Sequence, residues 1–274
     1  MANDWLELNA GGVPVSFSFK FTLDDLRGIA EKSPESRGIN RQLELCLVGL
    51  VSYFEGFCKD LFGLSLNVYP ELVERLSAGP EGRDVSIDPM LAVVLGDALR
   101  DKLGFILSER YNFGSAKDVN ALYGRLLKFK PFDDGDKQHF DDLLRDRNLI
   151  VHHGSTYTYR YLRQANRDHA DAHWMSLVVD RAFYFRHHDF IERIARKLLT
   201  GAYRELTAFG KDRYGFQANA PVEALLDWDP PEPEEFKPVP ESKSLYAQML
   251  EKKAAEEQAK LLGDDADAEE YSEA

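Results

Sequence analysis

One stretch of the chain gathers residues that can move a proton and hold an anion: Arg145-Asp146-Arg147-Asn148-Leu149-Ile150-Val151-His152-His153-Gly154. An imidazole titrates near neutral pH and serves as general acid or general base. A guanidinium stays charged and grips a phosphate through two parallel hydrogen bonds, which an ammonium cannot do. On a helix of 3.6 residues per turn, Phe140, Leu143, Leu144, Ile150 and Val151 share one apolar face. Asp141, Arg145, Asn148 and His152 form a polar stripe beside it, at steps of four, three and four. Arg147 falls within the apolar face. Burying a guanidinium without partners is costly, so Arg147 is expected in a polar pocket inside a bundle or at a subunit interface. Asn148 and His152, four apart, face the same way. Arg147 and His152, five apart, need the long arginine stem or a second chain to meet.

Other residues stand as supporting candidates. Glu55 lies among apolar residues of an earlier helical stretch; it is either a surface acid or a carboxylate that reaches Arg147 and orients it. Arg145 reads as a solvated charge or a phosphate contact. His153 reads as a helix-end cap or a second proton carrier. No metal ligand set is expected. In His187-His188-Asp189 the adjacent histidines point different ways on a helix, no third ligand is spaced for them, and capping by Asp189 explains the group better. His169 and His173 read as part of a polar loop. Two cysteines, Cys46 and Cys58, support neither a disulfide framework nor a Cys-rich zinc module. A Gly-rich phosphate loop, a dinucleotide fingerprint and a nucleophile elbow are all missing from the sequence. No cofactor is expected.

The elements that must position these residues read as mainly α. Residues 5–21 look like a β-hairpin, with Gly11-Gly12 at the turn and Val13, Val15, Phe17, Phe19 and Phe21 alternating. A long helix over 38–66 carries Leu43, Leu47, Leu50, Phe54, Phe57 and Leu61 at steps of three and four, a stripe wide enough to need burial on two sides. Asp88-Pro89 opens a helix expected to run to about 110. Ser115 caps another that ends before Pro131. Asp133 or Asp134 opens the helix that carries Arg147 and His152. Residues 155–185 have strand-like composition at Tyr157–Tyr161 and Ser176–Val179. In a strand, Tyr157, Tyr159 and Tyr161 would share a face beside Arg160 and Arg163, fit either to stack bases or to pack on the last helix. That last helix is expected over 189–209.

Charge separates the body from the tail. The chain of 274 residues carries a formal charge of −13, yet 15 acidic and 5 basic residues fall within 227–274. The remaining body is nearly balanced, so overall charge neither requires nor forbids a nucleic-acid partner. Residues 1–21 are expected as a hairpin, 22–215 as the helical domain, and 216–274 as a Pro-rich linker with an acidic, partly helical or disordered tail. The N-terminus lacks the basic and apolar segments of a signal peptide. The apolar run Leu45–Val51 is too short to span a bilayer. A soluble, cytoplasmic protein without membrane association is therefore expected.

Arg147-Asn148-Leu149-Ile150-Val151-His152 resembles the R-x4-H signature of the HEPN superfamily, in its form with Asn after the Arg. The stretch Leu50-Val51-Ser52-Tyr53-Phe54-Glu55-Gly56-Phe57-Cys58-Lys59-Asp60-Leu61 looks like the long early helix of HEPN proteins, and the likeness extends over roughly 20–210. The resemblance implies an up-and-down helical bundle that pairs as a homodimer, its two R-x4-H helices meeting across the dyad to build one ribonuclease site. It implies an RNA substrate, Arg147 and His152 as catalytic pair, Asn148 as helper, and a role in anti-phage (antiviral) defence or as the toxin of a toxin–antitoxin system. An antitoxin or sensor protein would be its regulator. In some toxins of this superfamily a Tyr two positions after the His is modified by the antitoxin; Gly154 stands there in this chain.

The implied chemistry is metal-independent. One base takes the 2′-hydroxyl proton, one acid protonates the departing 5′-oxygen, and cations stabilise the phosphorane oxygens. A two-fold axis supplies the second histidine. The expected products carry a 2′,3′-cyclic phosphate and a 5′-hydroxyl. The alternative is a non-catalytic HEPN-like adaptor that binds a partner protein or RNA, with the acidic tail recruiting that partner.

Overall fold

Nine helices, among the described residues, carry almost all of the chain's regular structure in the computed structural model. The structure describes residues 13–34, 38–78, 85–164 and 175–214, all of them within the first of two units, Met1–Asp229. The expected linker and tail, and residues 1–12 of the expected hairpin, lie outside the described residues. No strand occurs among the described residues, and no described helix is long and apolar enough to cross a membrane.

Helix α1 spans Val15–Lys32, so the part of the hairpin that is described is helical instead. The alternating apolar residues also supply pairs four apart. Val15, Phe19 and Leu23 turn inward, while Phe21 is left 60% exposed and stacks with Phe17. Phe19 stacks on Phe57 with ring centroids 4.4 Å apart. Burial against the next helix therefore overrides a period-2 pattern.

Helix α2, Arg41–Val68, is the axis of the bundle. Asn40 caps it by accepting from the backbone N–H of Gln42 and Leu43. Its C-terminal half is buried on all sides from Leu61 to Asn67, which fulfils the expectation from its wide apolar stripe. After a 3₁₀ turn at Pro70–Leu72 comes the short α3, Val73–Ser77. The helix expected from Asp88 to about 110 is two: α4, Pro89–Leu95, and α5, Leu99–Ser108. They are separated at Gly96, whose φ of +50° is a left-handed conformation open mainly to glycine. The break lets α5 lie against α2 so closely that Gly104 N–H donates to Asn67 Oδ1 at 2.7 Å.

Helix α6, Ala116–Leu127, is capped by Ser115, and α7, Asp134–His153, by Asp133 in a reciprocal capping box with Asp136. Helix α8 is Tyr159–Gln164, and α9 is Arg181–Tyr214. The strand-like insert reduces to one antiparallel bridge, Thr156 with Ser176. Tyr159 and Tyr161 are helical, so Tyr157 and Tyr161 stack at 5.3 Å, Tyr161 is buried and Tyr159 stays exposed. Residues 165–174, with His169 and His173, lie outside the described residues. Helix α9 begins eight residues before the expected start, with Asp180 Oδ1 accepting from Phe183 N–H. Asp189 is thus no cap; it sits inside the helix and pairs with Arg27 at 2.9 Å.

Candidate active site

The C-terminal half of α7 lies against α2. Glu44 meets Ser155 and Glu55 meets Arg147, so the two helices run antiparallel. Arg147, which the sequence placed on the apolar face, is half-buried there with 22% of its side chain exposed. Its Nη2 donates to Glu55 Oε1 at 2.7 Å, and its Nη1 donates to Asn148 Oδ1 at 3.1 Å. Its Nε is buried without an acceptor among the described residues. Of the two readings of Glu55, the structure shows the one in which the carboxylate reaches Arg147.

Asn148, His152 and His153 are exposed along the outer side of the same helix. With Arg145, and with Arg160 and Tyr161 of α8, they line a cleft of about 270 Å³. None of the residues lining that cleft is acidic. Arg147 does not line it; Asn148 stands between, touching Arg147 through its Oδ1. Arg145 is held in place by an ion pair with Asp142 and by donation from Nη1 to the Gln164 carbonyl at 2.7 Å. The structure therefore brings Arg145, Asn148, His152 and His153 to one opening, and it holds Arg147 and Glu55 together beside it.

The end of α7 is fixed by Gly154 together with Ser155 and Glu44, two residues without a motif to mark them. Gly154 and Ser155 take left-handed conformations, with φ of 55° and 72°. A serine adopts that conformation at a cost, and a buried hydrogen bond from Ser155 Oγ to Glu44 Oε1 holds it. Arg41 pairs with the other Glu44 oxygen at 2.5 Å. Glu44 occupies the apolar stripe of α2, one turn from Leu47 and two from Val51. An acid in that register is the one sequence signal of an inward-facing role.

A second histidine site carries no sequence signal, because its members are 48 residues apart. His139 Nε2 and His187 Nδ1 approach to 3.2 Å. The His139 ring stacks on Phe190 at 3.9 Å. Burial pushes the His187 pKa down to about 3, with help from His139 and Arg186. Burial also lowers that of His139, and Arg186 and Arg193 add to the effect. These two rings line a cavity of about 380 Å³ together with Asp142, Arg145, Tyr161 and Arg186.

Other groups are better explained by stability. Asp136 ties α7 to α9 through Arg193 at 2.8 Å and Lys197 at 2.7 Å. Burial would raise its pKa, but those two hydrogen bonds outweigh it and hold the carboxyl at about 2. A larger cavity, about 1,020 Å³, lies along α9 beside Lys130, Lys137, Arg196 and Lys197. Lys137, Arg196 and Lys197 there are matched by Asp134, Glu192 and Asp133. His188, Asp189 and Glu192 offer three ligand atoms within 4.8 Å of one another. Arg27 and Arg196 already neutralise the two acids at 2.9 Å each, so the trio is poorly suited to a cation. Cys46 and Cys58 are free and buried, and burial raises both thiol pKa values. Neither is a candidate nucleophile.

Compared with known proteins, the chain matches no family model, no curated protein and no solved structure.

Proposed function

We propose that the chain is a metal-independent endoribonuclease of HEPN type, in which two copies combine their α7 helices to build the reacting centre. The observation that carries the reading is an exposed His152 one turn from Asn148, in a cleft lined by arginines and free of acids, with Arg147 bonded to that same asparagine. An acid-free cationic cleft suits a phosphodiester. His152 of one copy removes the 2′-hydroxyl proton as the 2′-oxygen attacks phosphorus. The second copy's imidazole protonates the 5′-oxygen as the P–O5′ bond breaks. The products are a 2′,3′-cyclic phosphate and a 5′-hydroxyl. Glu55 fixes one edge of the Arg147 guanidinium, and each Nη keeps a second N–H for the phosphate or for the facing copy. The biological setting, by the same family resemblance, is defence against phage or a toxin–antitoxin pair, with an antitoxin or sensor protein as regulator.

The test is RNA cleavage by the purified full chain in excess chelator, with analysis of product ends. Chelator-resistant cleavage that leaves cyclic phosphate and disappears in His152→Ala is expected, from a species with the mass of a dimer. A strict Mg²⁺ requirement, or full activity in His152→Ala, overturns the reading. One observation favours a second reading: Arg147 is already engaged by Glu55 and Asn148 and is largely buried. That is how a purely structural arginine would look, and it suits a non-catalytic adaptor. In that case His152→Ala changes no RNA turnover because there is none.

A further inference from the structure

The cleft at His152 and the cavity at His139 and His187 adjoin along α7: Arg145 and Tyr161 line both. From His152 back to His139 is thirteen residues, or about 20 Å of helix at 1.5 Å per residue. Three arginines from three different helices stand along it: Arg160 of α8 beside His152, Arg145 of α7 in the middle, and Arg186 of α9 at the far end. Arg160 and Arg186 have no carboxylate partner among the described residues, and Arg186 rests over the Phe183 ring at 5.1 Å. The two acids lining these cavities are already engaged: Asp142 pairs with Arg145, and Asp146 accepts from the Tyr161 hydroxyl. The far end also offers flat groups, Phe183 and the His139 ring, on which a base can stack. In the larger cavity along α9, Arg196 is paired with Glu192 at 2.9 Å.

We infer that the two adjoining cavities form one track for single-stranded RNA leading away from the scissile bond, with Arg160 and Arg186 holding phosphates on either side of the Asp142-paired Arg145 and the His139–Phe183 recess receiving a base. The inference rests on the ribonuclease reading only for which end of the track holds the scissile phosphate. A single strand is the fitting occupant. In-line attack by a 2′-hydroxyl needs a backbone free of the A-form helix.

The test measures binding of a fluorescent, 2′-O-methylated oligonucleotide, which cannot be cleaved, to the full-length protein across a salt series. Two phosphate contacts predict a slope of log K against log[salt] of about −1.4, at roughly −0.7 per contact for a single strand. Arg160→Ala and Arg186→Ala are each expected to weaken binding about fivefold or more at low salt and to flatten the slope by about 0.7. Arg160→Lys is expected to restore the slope, and Arg196→Ala, at an acid-paired arginine in the larger cavity along α9, to leave both quantities unchanged. Binding indifferent to Arg160 and Arg186, or lost equally in Arg196→Ala, overturns the track, as does tighter binding of a duplex. Oligonucleotide binding that depends on Arg160 without any RNA cleavage overturns the ribonuclease reading and leaves the track. Cleavage with binding indifferent to the two arginines does the reverse.

Discussion

Lowering the pH from 8 to 5 is expected to destabilise the fold by about 2 kcal/mol through His187 alone. The ring is 3% exposed, and burial, reinforced by His139 and Arg186, holds its pKa near 3 against an ordinary value of 6.5. Between those two values the unfolded chain binds a proton that the folded chain refuses. Stability is therefore fully present above about 6.5 and falls as pH drops toward 3, because the unfolded state gains protons first. At pH 5 the gain is RT ln(1 + 10^1.5), about 2 kcal/mol, and at pH 4 it is about 3 kcal/mol. Any folded pKa below about 4 leaves the pH 5 figure nearly unchanged. Asp136 does not contribute in this window: its stabilisation is lost only as pH falls below 3.8 and through about 2. The assay is urea unfolding at pH 8, 6 and 5. With a slope of about 1–3 kcal/mol per molar urea, a 2 kcal/mol loss lowers the midpoint by roughly 1 M. His187→Phe keeps an aromatic ring at the site and removes the titration, so its midpoint is expected to fall by that much less over the same range. His139 bonds to His187 and its titration changes with it, so His139→Phe and the double variant are measured alongside to isolate the His187 contribution. Parallel pH profiles for wild type and variant refute the reasoning.

Three further outcomes are expected. A double-mutant cycle on Glu55→Ala and Arg147→Ala, followed by thermal melts, is expected to yield a coupling of about 1–3 kcal/mol, below that of a fully sealed pair because both side chains keep some exposure; a value near zero shows that the pair holds nothing. Gly104→Ala would place a Cβ 1.8 Å from the Gly63 carbonyl oxygen. Separating α2 from α5 is expected to cost about 3 kcal/mol or more, lowering the melting temperature by about 6–12 °C, and an unchanged melting temperature contradicts the close approach. Asn120 is buried and bonds both the Phe132 carbonyl, at 2.7 Å, and the Phe132 N–H, at 3.0 Å. Asn120→Ala leaves both backbone groups unsatisfied, with an expected loss of about 2–4 kcal/mol in urea unfolding.

How much of this was legible in the sequence differs from element to element. The cap at Ser115 was legible, and that of α7 was narrowed to Asp133 or Asp134, because each such side chain satisfies a backbone N–H three residues on; the cap expected at Asp189 was not one, since α9 begins well before it. The axis helix α2 was legible because its wide apolar stripe has one stable solution, burial on several sides. The position of Arg147 on the inward face, and that of Asn148 and His152 on an outer one, followed from helical geometry alone. The hairpin failed because residues alternating with period 2 also repeat every four, and Phe57 on α2 selected the helical choice for Phe19. The break at Gly96 escaped because a lone glycine inside an apolar helix pattern does not announce its φ.

What sequence alone determined was set by neighbours within a few turns: helical class, the starts of α2, α4, α6 and α7 to within three residues, and which side of α7 each polar residue faces. Tertiary structure alone decided which distant groups meet. It paired Glu55 with Arg147, Glu44 with Ser155 and His139 with His187, and it set two cavities side by side at Arg145. Helix propensity and capping are local energies and leave a pattern in the chain. Ion pairs and buried rings from separate helices form only once the apolar faces have packed, and nothing in their spacing along the chain records where that packing brings them together.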